Sequence, residues 1–184
     1  MSVWKDETTL TTTDELHGHL PGGPSKYHNP DLKHVEEEVL QHYKAFSRFC
    51  NYECLEDPHG GKRFWELDDM MIFDLMGCTN RPDFRAHYEK VTLYLKDAHV
   101  AFKDLEIVAV SETFAYATAL ERYWGKAEDG NDFDLHFRIT SLMQKTSNGW
   151  QYIHEHYSFP VDMATKLADF SSGIAVNDSL ALKK

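Results

Sequence analysis

One stretch restricts this chain more than any other: Phe133, Leu135, Phe137 and Ile139 alternate without a break with Asp134, His136, Arg138 and Thr140. A β-strand, whose side chains point to opposite faces with period two, sorts such a set into one apolar and one polar face. One strand cannot bury that face alone, so the pattern demands partner strands and a cover. The partners are close by. Residues 105–110 and 113–124 are rich in β-branched and aromatic side chains and are divided at Ser111-Glu112, which reads as a hairpin. Asp129-Gly130 marks a turn, and Asn148-Gly149 turns the chain into a last long strand over residues 150–159.

The cover lies upstream. After Pro30, the residues Leu32, Val35, Val39, Tyr43, Phe46 and Cys50 trace a helical stripe, with Glu36, Glu37 and Glu38 expected on its outer side. Asp57-Pro58 and Gly60-Gly61 mark a loop. Residues 64–73 read as a short helix running into a buried strand that ends at Asp74. Phe84, Tyr88, Val91, Leu95 and Ala98 form a second helical stripe, with Pro82 as an early helical residue. Helices followed by antiparallel strands give an α+β fold: a curved antiparallel sheet wrapped around N-terminal helices, an open cone with an internal pocket. Residues 1–29, with the breaker cluster Pro21-Gly22-Gly23-Pro24, read as an arm, residues 30–162 as the domain, and residues 163–184 as a tail with a weak helical stretch at 163–170.

Composition narrows the partners. A formal net charge of -11 disfavours nucleic acid and anionic lipid surfaces, which call for concentrated Lys and Arg. No apolar run reaches the ~18 residues of a membrane span, and residues 1–10 lack a basic and then apolar leader, so a cytoplasmic protein is expected. The three cysteines, Cys50, Cys54 and Cys78, are odd in number and show no C-x-x-C spacing; neither a disulfide framework nor a cysteine zinc site is expected.

The segment Phe137-Arg138-Ile139-Thr140, the turn Asn148-Gly149-Trp150 and the closing Ile153-His154-Glu155-His156-Tyr157-Ser158-Phe159-Pro160 resemble the SnoaL-like branch of the nuclear transport factor 2-like superfamily. The last two strands are also similar to the association domain of calmodulin-dependent kinase. Upstream, Asp68-Asp69-Met70-Met71-Ile72-Phe73-Asp74 resembles the ketosteroid isomerase segment that carries the catalytic base, although Leu75 stands where that pattern has Pro. The resemblance implies a cofactor-independent lyase, isomerase or dehydratase acting by proton transfer on a hydrophobic, aromatic small molecule, including retro-aldol-type cleavage of lignin-derived compounds. Two other readings stay open: a non-catalytic ligand-binding or oligomerisation module, and the small structural subunit of an aromatic-ring dioxygenase. A homodimer or larger homo-oligomer through the aromatic outer sheet face is expected in any case.

Candidate site residues follow. Asp74, after an apolar run, is placed to be a desolvated base. His99 takes the helix-to-strand position of the base in dehydratase relatives. Arg138 and His156 are candidates to hold an oxygen that gains charge, as is Tyr43, which matches a helix phenol of the isomerases. Phe46, Tyr116, Tyr123 and Trp124 are candidate pocket walls, with His136, Glu155 and Tyr157 as polar contacts. His154 and His156 share a strand face from which Glu155 points away, so no metal set is expected there. Which polar face of the last hairpin meets the pocket depends on register: a two-residue Asn148-Gly149 loop groups Arg138 with Glu155 and Tyr157, whereas one more residue groups it with His156.

Overall fold

The computed structural model describes residues 3–79 and 83–173; Pro82 and residues 174–184 lie outside them. Three helices, α1 (Thr13–Gly18), α2 (Lys33–Arg48) and α3 (Phe84–Tyr94), accompany six strands. The strands are β1 (Met71–Asp74), β2 (Gly77–Thr79), β3 (Asp97–Ser111), β4 (Phe114–Lys126), β5 (Asp132–Thr146) and β6 (Gly149–Ser158). They form one sheet in the order β2-β1-β6-β5-β4-β3, antiparallel except for the β1–β6 pair. This is the expected α+β layout, with β2 and β3 left as open edges.

Irregularities in β3 and β6 bend the sheet and reset which residues face inward. In β3 the register shifts between Lys103 and Glu106, where Asp104 adopts φ 56°. Phe102 and Val100 are therefore inward before the shift, Leu105 and Ile107 after it. In β6, Met143 pairs with Tyr152 but Leu142 pairs with His154, so Ile153 is the extra residue. The hairpin turn itself spans Ser147-Asn148, with Gly149 at φ 96°. Neither loop arrangement weighed from sequence occurs. The bulge nonetheless produces the second grouping: Arg138, His154 and His156 lie on one face, Glu155 and Tyr157 on the other.

Helix α2 starts where Asn29 caps a turn at Pro30–Leu32. It buries Val35, Val39, Tyr43 and Phe46, and continues through a π-helical turn at Phe49–Glu53 that places Cys50 in the core. Tyr43, Phe46, Phe102 and Tyr152 meet edge-to-face at ring separations of 5.2–5.8 Å. Of the acidic triplet only Glu36 turns away from solvent; Glu37 and Glu38 stay half-exposed. Glu36 is buried and accepts Ala109 N–H at 3.3 Å; Glu37 takes Thr13 N–H and O–H; Glu38 bonds Lys145 and the Trp150 indole.

The arm is folded onto β3. Thr12 caps α1, and Lys5 and Phe102 exchange backbone bonds of 2.7 Å. Ile107 N–H donates to His17 at 3.2 Å and Val100 N–H to Asn51 at 2.7 Å, so side chains satisfy donors that an edge strand otherwise leaves open. At the other end of the chain the stretch at 163–170 is not helical: Val161 bridges Ala168 and Lys166 takes φ 61°. It folds back so that Phe170 stacks on Phe159 and its carbonyl accepts His136 N–H at 2.7 Å.

Gly125 holds β4 against β3 where they cross most closely. A Cβ there would run into the Asp97 carbonyl oxygen and lie 2.8 Å from Ala98 Cα. Gly125→Ala is therefore expected to destabilise the fold by about 1–3 kcal/mol, read as a lower midpoint in urea unfolding with an unchanged slope. An unchanged midpoint would mean that the two strands are free to separate there.

Candidate active site

The bent sheet, α3 and the folded-back tail enclose a cavity of about 450 Å³. Its walls are mainly aromatic and aliphatic, with Phe46, Tyr123, Phe133, Phe137 and Phe170 among them. Its ionisable lining includes Asp74 at the end of β1, His87 on α3 and Glu121 in the middle of β4, together with Asp129 and Asp132. Among the described residues that line it there is no Lys or Arg.

Asp74 and His87 form a pair. His87 Nε2 is in close hydrogen-bond contact with Asp74 Oδ2, and Asp74 Oδ1 accepts Met76 N–H at 2.8 Å. The carboxylate is thus engaged on both oxygens, and its side chain is only 8% exposed. Such a carboxylate fixes the imidazole tautomer, leaving Nδ1 to exchange a proton.

Glu121 stands in a very different environment. It is 4% exposed, and its Oε2 is buried with no hydrogen-bond partner. Burial, reinforced by the charge of Glu155, holds its carboxyl well above the usual carboxylate range and so favours the protonated form. A protonated carboxyl facing a mainly apolar cavity is a hydrogen-bond donor in search of an acceptor.

Glu155 lies behind the cavity wall. It is 2% exposed and accepts three bonds, from Trp65 Nε1 at 2.9 Å, Tyr157 Oη at 2.9 Å and Ser141 Oγ at 3.0 Å. Burial outweighs those donors and pushes its carboxyl up to about 7. Tyr157 lines the cavity and spends its hydroxyl proton on Glu155; burial and that carboxylate raise the phenol well above its usual value.

Of the residues singled out from sequence, Asp74, Phe46, Tyr123 and Tyr157 meet this cavity, and Glu155 supports it from behind. The others do not. His99 sits within β3, which begins at Asp97 rather than after His99; its parity is outward, and it packs on Trp124. Trp124 itself lies under Arg122 on the outer face, and Tyr116 shares that parity. Arg138 is exposed and donates to the Phe159 carbonyl at 3.0 Å, while His136 pairs with Asp134 and braces the tail. His156 is exposed beside Phe73. Tyr43 is enclosed in the core, where burial raises its phenol far above the usual value.

The sequence reading missed Glu121 and His87, yet both carry a legible signal. Ala115, Ala117, Ala119, Glu121 and Tyr123 share one strand face, so a carboxylate interrupts an apolar row. His87 falls one helical turn after Phe84 on the stripe of α3.

The model of the SnoaL-like domain family matches residues 60–162. The chain belongs to the SnoaL-like family. This SnoaL-like chain is similar in structure to a nuclear transport factor 2-like superfamily protein from Salmonella enterica, with a TM-score of 0.59, 18% identity, and coverage of 71% of this chain and 94% of that one. A candidate scytalone dehydratase from Novosphingobium aromaticivorans gives a TM-score of 0.57 at 14% identity, covering 70% of this chain and 87% of the other. A candidate calcium/calmodulin-dependent protein kinase II association domain from Xanthomonas campestris gives 0.55 at 14% identity, covering 66% and 85%. Curated protein sequences give no match. Among the described residues no helix is long and apolar enough to cross a membrane.

The buried acids set a pH dependence of stability. Between about pH 4.5 and 7 the unfolded chain ionises Glu155 while the folded protein keeps the proton, so unfolding releases a proton and stability falls as pH rises. Above 7 the loss is complete, about 3 kcal/mol for Glu155; Glu121 acts with the same sign over a wider range. Thermal unfolding followed from pH 4.5 to 8 is expected to show a smaller fall in Tm for Glu121→Gln than for the parent protein. Equal falls would show that Glu121 ionises normally.

Proposed function

We propose that this protein is a cofactor-independent acid–base enzyme, an isomerase, dehydratase or lyase acting on an uncharged, largely apolar molecule of aromatic size. The observation that carries this reading is Glu121: a buried carboxyl oxygen without a partner, in a cavity that also holds a carboxylate-bound imidazole. An unsatisfied buried acid costs stability, and a ligand oxygen that accepts its proton supplies the missing partner.

The chemistry follows from those groups. A substrate carbonyl accepts the Glu121 O–H. The His87 imidazole, held by Asp74, removes a proton from the carbon beside that carbonyl. Negative charge then grows on the oxygen facing Glu121, whose hydrogen bond strengthens as it does so. The imidazolium returns its proton to another carbon in an isomerisation, or to a departing hydroxyl, which leaves as water. In a retro-aldol cleavage the base instead takes the proton of a β-hydroxyl, the carbon–carbon bond breaks, and the resulting enolate is reprotonated. Asp74 thus acts through His87 rather than as the base itself, because both of its oxygens are engaged.

Ligand charge follows from the walls. With Asp74, Glu121, Asp129 and Asp132 among the lining residues and no Lys or Arg among those described, an anionic substrate would lose its hydration without gaining a counter-charge. The outer face, with Tyr116 and Trp124, is the surface through which we infer a homodimer forms; sedimentation of the purified chain as a monomer would overturn that assembly.

Aromatic enones and β-hydroxy ketones, including lignin-derived ones, are the substrates to screen. On a substrate that is turned over, His87→Gln and Asp74→Asn should each lower kcat by about 10²–10⁴. Glu121→Gln keeps an N–H donor and should lose about tenfold, Glu121→Leu about 10²–10³. Unchanged turnover in His87→Gln removes the base. A carboxylate-bearing analogue that binds as tightly as its neutral parent removes the charge assignment, and absence of turnover across the panel favours a binding module.

A further inference from the structure

The arm brings a second ionisable cluster together, away from the cavity. His17 on α1, His28 in the segment after Gly22-Gly23, and Glu36 on α2 each offer one donor atom, and these atoms lie within 4.8 Å of one another. His17 and Glu36 are buried, and the His28 side chain is 19% exposed. The two imidazole rings are 4.5 Å apart.

We propose that His17, His28 and Glu36 bind a single divalent cation of the zinc type, with Glu106 holding His28 from behind. His28 Nε2 is 3.1 Å from Glu106 Oε1, which also accepts Ser25 N–H at 2.6 Å. Donation of the Nε2 proton to Glu106 turns the lone pair of Nδ1 toward Glu36 Oε1, 2.7 Å away. Two acceptors at that distance require something positive between them, either a proton or a metal ion. His17 supplies the second imidazole that makes a metal the better occupant. The backing of a ligating histidine by a carboxylate is the arrangement that fixes its tautomer and raises its basicity.

The donor set also selects the ion. Two imidazoles and one carboxylate suit zinc, nickel, cobalt or copper, whereas magnesium and calcium take oxygen ligands. A tetrahedral zinc with bonds of about 2.0–2.1 Å holds its donors farther apart than the 2.7 Å between His28 Nδ1 and Glu36 Oε1, so that pair must open by side-chain rotation to admit the ion. Ile107 N–H, 3.2 Å from His17 Nε2, is the contact that an ion on that nitrogen would displace. Bound there, the cation ties the arm, α2 and the free edge of β3 at one point.

The test uses the full chain, stripped with a chelator and titrated with Zn²⁺ by calorimetry, with bound metal counted by mass spectrometry after desalting. One zinc per chain is expected, with Tm raised by about 5 °C or more, and no comparable effect of Mg²⁺. His17→Gln and His28→Gln should each weaken zinc binding by at least about tenfold. Their metal-free unfolding curves show whether each variant is folded; if His28→Gln is not, Glu106→Gln, which weakens the backing of His28, is expected to lower the affinity as well. Absence of stoichiometric zinc would overturn the proposal and leave a proton as the occupant between His28 and Glu36. So would zinc binding that persists unchanged in both histidine variants, because the exposed face with His154 and His156 would then be its source.

Discussion

One extra residue on β6 decides which side chains the cavity meets. From Thr146 and Gly149 inward the hairpin pairs regularly, until Ile153 is left unmatched and every later residue changes face. Without that step Glu155 and Tyr157 would turn outward and His154 and His156 inward. The carboxyl that anchors Tyr157 would be replaced by imidazoles with no matching donors at Trp65 and Ser141. The shift at Asp104 does the same for β3, turning Leu105 and Ile107 to the core after Phe102. Curvature and chemistry therefore have a common origin, since the bulges that bend the sheet also choose its inner face.

The two glutamates on that inner face are treated unequally, and the inequality is informative. Glu155 receives three hydrogen bonds and serves as a fixed support. Glu121 has one oxygen sealed away from any donor, yet it sits mid-strand between Phe102 and Phe137 across the ladder. A sheet has no structural use for a carboxyl in that row, where Ala or Val would pack at no electrostatic cost. On the proposed reading, a group that weakens the fold and faces a cavity serves what the cavity binds. His87 and Asp74 complete the contrast: one acid has a buried oxygen without a partner, the other is engaged on both oxygens, in the same hollow.

Much of the architecture could be read in advance because period-two and period-3.6 patterns are local. The alternation in β5 and the stripe of α2 each lie within a few residues, and the structure has them where the pattern put them, while the turn before β6 falls one residue earlier, at Ser147-Asn148. The C-terminal motif pointed to the family for the same reason. What failed was parity over distance. His99 was placed at a helix–strand junction because the start of β3 carries Asp97 and Ala98 in place of β-branched residues. Glu36 was turned outward because a helical wheel does not show that β3 leaves Ala109 N–H uncovered. Arg138 was considered for the pocket although its own strand already assigned it to the polar side with Asp134 and His136. Glu121 needed only the same alternation test, applied to β4 as it had been to β5.

The arm and the cavity are joined through α2. Near its start that helix presents Glu36 to His28 and to β3, and near its end it presents Phe46 and then Cys50 to the cavity. Because α2 is continuous and packs on β3, anything that draws Glu36 toward the arm also fixes the seat of Phe46 against Trp65 and Tyr152. Edge protection explains why such a contact exists at all: β3 must satisfy its outward donors, and backbone from the arm does so at Lys5. Farther along, side chains take over, and histidine and glutamate are residues whose hold depends on a proton or an ion between them. A leucine-lined edge would be insensitive to either. Here one helix carries both that polar contact and part of the cavity wall.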